Sequence, residues 1–134
     1  MRKLAVGESV FALPVDARRL RNSTGILVCA GERYRVDASN EVWSDAGIEC
    51  TAKGQSGRGI QRIFKPLIRC RQARWFQLVA AAGTSSKQMV PIGLGAVASF
   101  TADEDCELEF FANDVVFMYW NNAGVIHVAV TREA

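Results

Sequence analysis

Short apolar runs recur about every ten residues along this chain, and glycine, asparagine, aspartate and serine stand between them. No stretch keeps a helical period long enough to make an extended amphipathic helix. A run of five to nine residues that alternates apolar and polar side chains buries one face and leaves the other in water. Such runs need a second sheet to bury against. Val125 to Thr131 shows the pattern most clearly, with Ile126, Val128 and Val130 on one side and Val125, His127, Ala129 and Thr131 on the other. About eight such runs in 134 residues predict an all-β, antiparallel β-sandwich of jelly-roll-like form. The length fits a single domain spanning residues 1–134.

In chain order, Ser9 to Leu13 reads as a strand ended by Pro14, and residues 16–23, with Arg18, Arg19 and Arg21, as a solvated basic connector. Ile26–Ala30 and Tyr34–Ala38 read as a hairpin about a turn at Gly31-Glu32, and Trp43 as a wall of the core. Residues 51–74 are the hardest to assign. The glycines of Gly54-Gln55-Ser56-Gly57-Arg58-Gly59 lack the Gly-Lys-Ser/Thr ending of a phosphate loop, and Pro66 interrupts the helical spacing of Ile60, Ile63, Phe64, Leu67 and Ile68. A short helical turn or irregular segment laid across the sandwich is expected, with Arg58, Arg62, Lys65, Arg69, Arg71 and Arg74 as a basic rim. Arg74–Ala82, Gln88–Ile92, Val97–Thr101 and Glu107–Phe111 read as further strands, joined by a Thr-Ser-Ser-Lys turn, by Gly93 and Gly95, and by an acidic turn at Asp103–Asp105.

The formal charge of +2 argues neither for nor against an acidic partner, no run approaches the ~18 apolar residues of a membrane span, and neither nucleic acid nor a membrane is expected as a partner. The start, Met-Arg-Lys-Leu-Ala-Val, has the basic flavour of an export signal, but Gly7-Glu8-Ser9 interrupts its apolar part, so the expected address is the cytoplasm. Cys29, Cys50, Cys70 and Cys106 form no Cys-x-x-Cys pair, so they read as reduced structural residues, with Cys29 and Cys70 as small buried hydrophobes.

The candidate site is Phe110 to Gly124, Phe-Phe-Ala-Asn-Asp-Val-Val-Phe-Met-Tyr-Trp-Asn-Asn-Ala-Gly. Asn113-Asp114 closes one run and Asn121-Asn122 opens the next, so one short loop gathers several oxygen-bearing side chains. Such a set suits a hard cation: calcium takes six to eight oxygens from carboxylates, amides, carbonyls and outside hydroxyls. The same residues are also ordinary turn formers.

The full spacing, Asn113-Asp114-Val115 followed by Tyr119, Asn121-Asn122 and Gly124, resembles the calcium loop of the PA-I-type galactophilic bacterial lectins. Gly31-Glu32 and Trp43-x-x-x-Gly47 add a second, weaker match upstream. The resemblance implies a homo-oligomeric, non-catalytic, carbohydrate-binding domain with calcium as cofactor and a galactose-like or other hexose as ligand. It implies metal ligation by the side chains of Asp114, Asn121 and Asn122 and the backbone carbonyls of Met118 and Ala46, with Asp114, Val115 and Asn121 also touching sugar. Val116-Phe117 departs from the family's Pro-Gly, and residues 57–68 hold no counterpart of its sugar-gripping His and Gln; Gln55 and Gln61 are the available substitutes.

Val115 to Trp120 is apolar throughout, which internal packing, an apolar ligand portion or a subunit contact would explain. The alternative function is a structural or protein-interaction sandwich with a vestigial or purely structural ion loop. An enzyme has little support, since His127 lies mid-strand and the pairs Asp103/Asp105 and Glu107/Glu109 read as solvated charge.

Overall fold

The computed structural model describes residues 1–57, 61–82, 88–92 and 97–134. The strands are β1 (Arg2–Lys3), β2 (Ser9–Asp16), β3 (Asn22–Val28), β4 (Arg33–Ala38), β5 (Trp43–Asp45), β6 (Ile48–Cys50), β7 (Leu78–Ala82), β8 (Gln88–Pro91), β9 (Val97–Thr101), β10 (Cys106–Ala112), β11 (Asn122–Ala123) and β12 (Val125–Arg132). They form a five-stranded sheet in the order β1-β3-β10-β7-β8, a four-stranded sheet β2-β12-β4-β9 and a small sheet β11-β5-β6. The molecule is the expected all-β sandwich, antiparallel except where β1 runs parallel to β3.

The alternation read from the sequence sets which face is buried. Ile126, Val128 and Val130 of β12 point inward, as do Leu108 and Phe110 of β10, Ile26 and Val28 of β3, and Tyr34 and Val36 of β4. Trp43 is buried against them, with its ring edge-on to Phe76 at 5.4 Å. The run Leu-Val-Ala-Ala-Ala of β7 is buried on both faces, because Cys70 and Ala73 cover Val79, Ala81 and Phe111 from outside. Before these covering residues the chain makes one helical turn, α1 (Gln61–Phe64), continued as a 3-10 turn at Lys65–Leu67 with Pro66 inside it. This is the short helical turn expected, and its Phe64 packs against the main core. Arg69 follows it, its guanidinium 3.6 Å from the centre of the Phe111 ring and bonded to the Leu20 carbonyl and the Tyr119 hydroxyl.

Several boundaries differ from the sequence reading, most of them by one residue and these by more or with a local cause. β2 continues through Pro14 to Asp16, because β2 is an edge strand and a proline there loses no ladder bond on its open side. Opposite Ala129, β2 carries two residues, Phe11 and Ala12, and this bulge puts Ala12 at φ 57°. β3 begins at Asn22, shortening the basic connector, and ends at Val28 rather than Ala30. The strand expected from Arg74 starts only at Leu78: Phe76 sits at φ 60°, a turn that sends the consecutive rings of Trp75 and Phe76 both into the interior, which no extended strand could do.

None of the four cysteines forms a disulfide; Cys70 is buried, but Cys29 is only half-buried. Arg58 and Gly59 of the glycine-rich run, Ile60 of the helical spacing, the Thr-Ser-Ser-Lys turn and the glycines at 93 and 95 lie outside the described residues.

Candidate metal and ligand site

The chain leaves the five-stranded sheet at the end of β10 and enters the four-stranded sheet at β12, and the candidate loop makes that crossing. Asn113 anchors its start. Its side chain accepts from the Cys70 N–H at 2.8 Å and donates to the Cys70 and Arg74 carbonyls, so it clamps the covering segment to the end of β10. Asp114 follows, fully buried, with Oδ1 accepting from the Val115 N–H at 2.7 Å and Oδ2 without any partner. Residues Val116–Asn121 then form a 3-10 turn, and β11 pairs with β5 so that Asn122 lies opposite Asp45.

This pairing brings in a residue the sequence reading passed over. Asp45, buried at 2% exposure, stands directly before the predicted carbonyl donor Ala46. Its Oδ2 accepts from Gln61 Nε2 and Trp75 Nε1, each at 2.7 Å, which leaves Oδ1 for the site. Asp114 is the only carboxylate between Phe110 and Gly124, and a second one arrives from the neighbouring hairpin. The signal was present in Trp43-Ser-Asp-Ala-Gly47, where an acidic residue sits one place before a tight glycine turn.

Asn121 lies at the centre of the cluster. One end of its amide is 3.1 Å from Asn122 Oδ1, 3.2 Å from Asp45 Oδ1 and 2.6 Å from the Met118 carbonyl oxygen. With its NH2 there, the amide bridges three acceptors. With its oxygen there, four oxygens face one another, an arrangement stable only around a cation. Asn122 is held with its oxygen available, because its Nδ2 donates to the Ala17 carbonyl at 2.9 Å. Ala46, in the left-handed region at φ 49°, gives its N–H to the Asn121 carbonyl. Gly124 lets the two loops meet: a Cβ there would lie 2.8 Å from Trp43 Cα.

The structure thus gathers Asp114, Asn121, Asn122, the Met118 carbonyl and Ala46, and adds Asp45. Val115, expected to touch a ligand, is 2% exposed and offers almost no surface. The open side lies at Asn121, Ala46 and Gly47, which are not buried. Gln61 sits at the site but is spent on Asp45, whereas Gln55 pairs with Trp75 through the backbone. The apolar run is not all packed inside, for Val116, Phe117 and Trp120 stand in solvent. No cluster of three or more His, Cys, Asp or Glu side chains occurs among the described residues; the oxygens brought together here come from two carboxylates, two amides and the backbone, atom types that suit a hard cation.

Burial, and then the nearby Asp45 charge, push the Asp114 carboxyl up to about 6, against the pull of the Val115 N–H and the Asn122 amide. A raised carboxyl means that the folded state holds its proton more tightly than the unfolded one. Its contribution therefore favours folding below the ordinary carboxylate range and is lost as pH climbs from about 4 to about 6. Measured in chelator, the stability of Asp114→Asn minus that of the native chain should grow across this window by about 3 kcal/mol and level off above it. Urea midpoints at a series of pH values read it directly. A difference independent of pH would contradict the buried, proton-hungry carboxyl.

His127 makes no comparable site. Its Nδ1 lies 2.7 Å from Glu41 Oε1, the oxygen that also accepts from the Ser39 hydroxyl, so the serine is turned to the carboxylate and not to the imidazole. That is the wrong connectivity for an activated nucleophile.

No protein-family model matches the chain, and no curated protein does. Among solved structures it is similar to the EclA N-terminal domain, described as a PllA-like lectin, with a TM-score of 0.68 and 24% identity over 93% of this chain and 98% of that one. Nearly the whole of each chain is superposed, so the two share a fold.

Proposed function

We propose that this chain is a calcium-dependent carbohydrate-binding domain without catalytic activity. The observation that carries the reading is the convergence at the Asn121 amide of oxygens from Asp45, Asn122 and Met118, beside a buried Asp114 oxygen that has no partner. Asp114, Asp45, Asn121 and Asn122 would hold the ion together with the Met118 carbonyl, and Ala46, whose N–H bonds the Asn121 carbonyl, would add its own carbonyl oxygen. When bound, calcium supplies a Lewis-acidic point on which vicinal hydroxyls replace water. Asn121, at the open side, then positions the hydroxyls, and the lectin that shares this fold supports carbohydrate as the ligand class.

A purely structural ion is the second reading, favoured by the near-complete burial of Asp114 and Asn122. A glycan array run with calcium and repeated in chelator separates the two. Retention of glycans that vanishes in chelator is the expected result. Calcium that raises thermal stability while no glycan is retained would leave the structural role and overturn the carbohydrate reading.

A further inference from the structure

Five of the eleven large apolar side chains exposed among the described residues stand on two short turns: Ile63 and Leu67 on one, Val116, Phe117 and Trp120 on the other. The turns touch. Phe64 meets the Phe117 ring edge-on at 6.1 Å, and Ile68 makes a backbone bridge to Val115. In a 3-10 turn, residues three apart lie above one another, so Phe117 and Trp120 share one edge of theirs. Exposures of 74% for Ile63, 64% for Phe117 and 73% for Trp120 describe side chains that protrude, not ones half-sunk in the core. None of this apolar surface is needed to assemble the oxygen cluster behind it.

The surroundings of the patch are cationic. Lys65 and Arg71 are exposed beside it, and Arg69 is held between Phe111 and Tyr119. Between Glu49 and Asp103 the sequence contains no acidic residue at all. Both turns therefore present protruding aliphatic and aromatic side chains inside a positive rim with no carboxylate of their own. A second copy of the chain would set that rim against itself, which costs rather than gains energy. An anionic bilayer answers both features together, taking apolar side chains into the acyl boundary and basic ones at the headgroups.

We propose that the turns at residues 63–67 and 116–120 form a docking surface for anionic lipid bilayers, seating Ile63, Leu67, Val116, Phe117 and Trp120 below the headgroups of negatively charged phospholipids. No helix among the described residues is long and apolar enough to cross a membrane, so these turns supply a peripheral contact. The contact is separate from sugar recognition, and it would bring the ion site close to any glycan carried on the same membrane.

The chain carries its own reporter. Of its three tryptophans, Trp43 and Trp75 are buried and Trp120 is exposed, so a change in emission on binding reports this patch. The test mixes the protein with sugar-free vesicles of phosphatidylcholine, with or without about one third phosphatidylserine, in chelator and in calcium. Sedimentation with the anionic vesicles in both buffers is expected, with blue-shifted emission and quenching by brominated acyl chains. Phe117→Ser and Leu67→Ser, both at exposed positions, should each weaken the partition by about tenfold. Lys65→Gln and Arg71→Gln should each cost about fivefold on anionic vesicles and little on neutral ones. No association with Trp120 still open to acrylamide would overturn the proposal, as would binding that disappears in chelator, which would assign the contact to the ion. Trp120 shielded without vesicles in a dimer of defined mass would give the surface to a second copy. Since the vesicles bear no sugar, neither result depends on the glycan array.

Discussion

Asp114→Asn is expected to abolish calcium binding and calcium-dependent glycan retention together while leaving the fold intact. The amide fits the space of the carboxyl, and its oxygen can still accept the Val115 N–H that Oδ1 accepts now. What disappears is one of the two negative charges with which the cluster would hold a divalent ion. Asp45 remains, but its Oδ2 is already shared by Trp75 and Gln61. Ion affinity in oxygen-donor sites follows the number of charged ligands, so a loss of at least about 100-fold is expected. In chelator the same substitution should stabilise the chain above pH 6, because it removes a buried charge facing another carboxylate. Opposite signs in the two buffers are what set a ligand apart from a structural residue, which would be destabilised in both. Titration calorimetry with calcium, paired with thermal unfolding in chelator, reads both signs, and an unchanged calcium affinity would refute the assignment.

The split between what the residues announced and what they hid follows from the range of each interaction. Period-two alternation is local, so β12 was legible with its buried face, β4 and β10 as strands, and so was the sandwich they require. The oxygen donors of residues 114–122 were legible because they lie within nine positions of one another. Asp45 was only half legible: an acidic residue before the glycine turn at Gly47 could be seen, but its place beside Asn122 depends on β11 pairing with β5 across almost eighty residues, which no spacing within either segment encodes. The break before β7 was hidden for a related reason. Arg74-Trp-Phe-Gln-Leu reads as a strand, but Trp75 is drawn inward to donate to Asp45, and the left-handed Phe76 lets both rings be buried. Pro14 misled in the opposite sense: it ends strands in the middle of a sheet, and the sequence does not say that β2 lies on an edge. The covering of β7 on its outer face was half legible, since an unbroken apolar run signals burial on two sides without naming what covers the second.

Gly54→Ala should be among the most damaging single substitutions in the domain, although Gly54 touches neither ion ligand nor the sandwich strands. Its φ of +73° lies in the left-handed region, and a Cβ would meet the Gln77 N at 2.7 Å, the Trp75 carbonyl oxygen at 2.7 Å and the Gln77 Cα at 2.8 Å. All three are backbone atoms, so no side chain can swing aside. The neighbouring Gln55 N–H donates to that same Trp75 oxygen at 2.7 Å, which fixes the distance between the two segments. To admit a methyl group, the turn at residues 74–77 must move away, taking Trp75 off Asp45 and Phe76 off Trp43. Strain and lost packing together should cost about 3–5 kcal/mol. Gly31→Ala is the proper control, for its φ is +84° but nothing lies within 4 Å of the added carbon, so it should lose only the ~1 kcal/mol of left-handed backbone. Urea unfolding of the two variants in chelator measures the difference. Calcium should recover part of the Gly54→Ala loss by mass action if the ion selects the arrangement in which Asp45 faces Asn121. Equal losses in the two variants would show that the contact between Gly54 and the 74–77 turn is looser than 2.7 Å implies, and that Asp45 owes its position to its own hairpin alone.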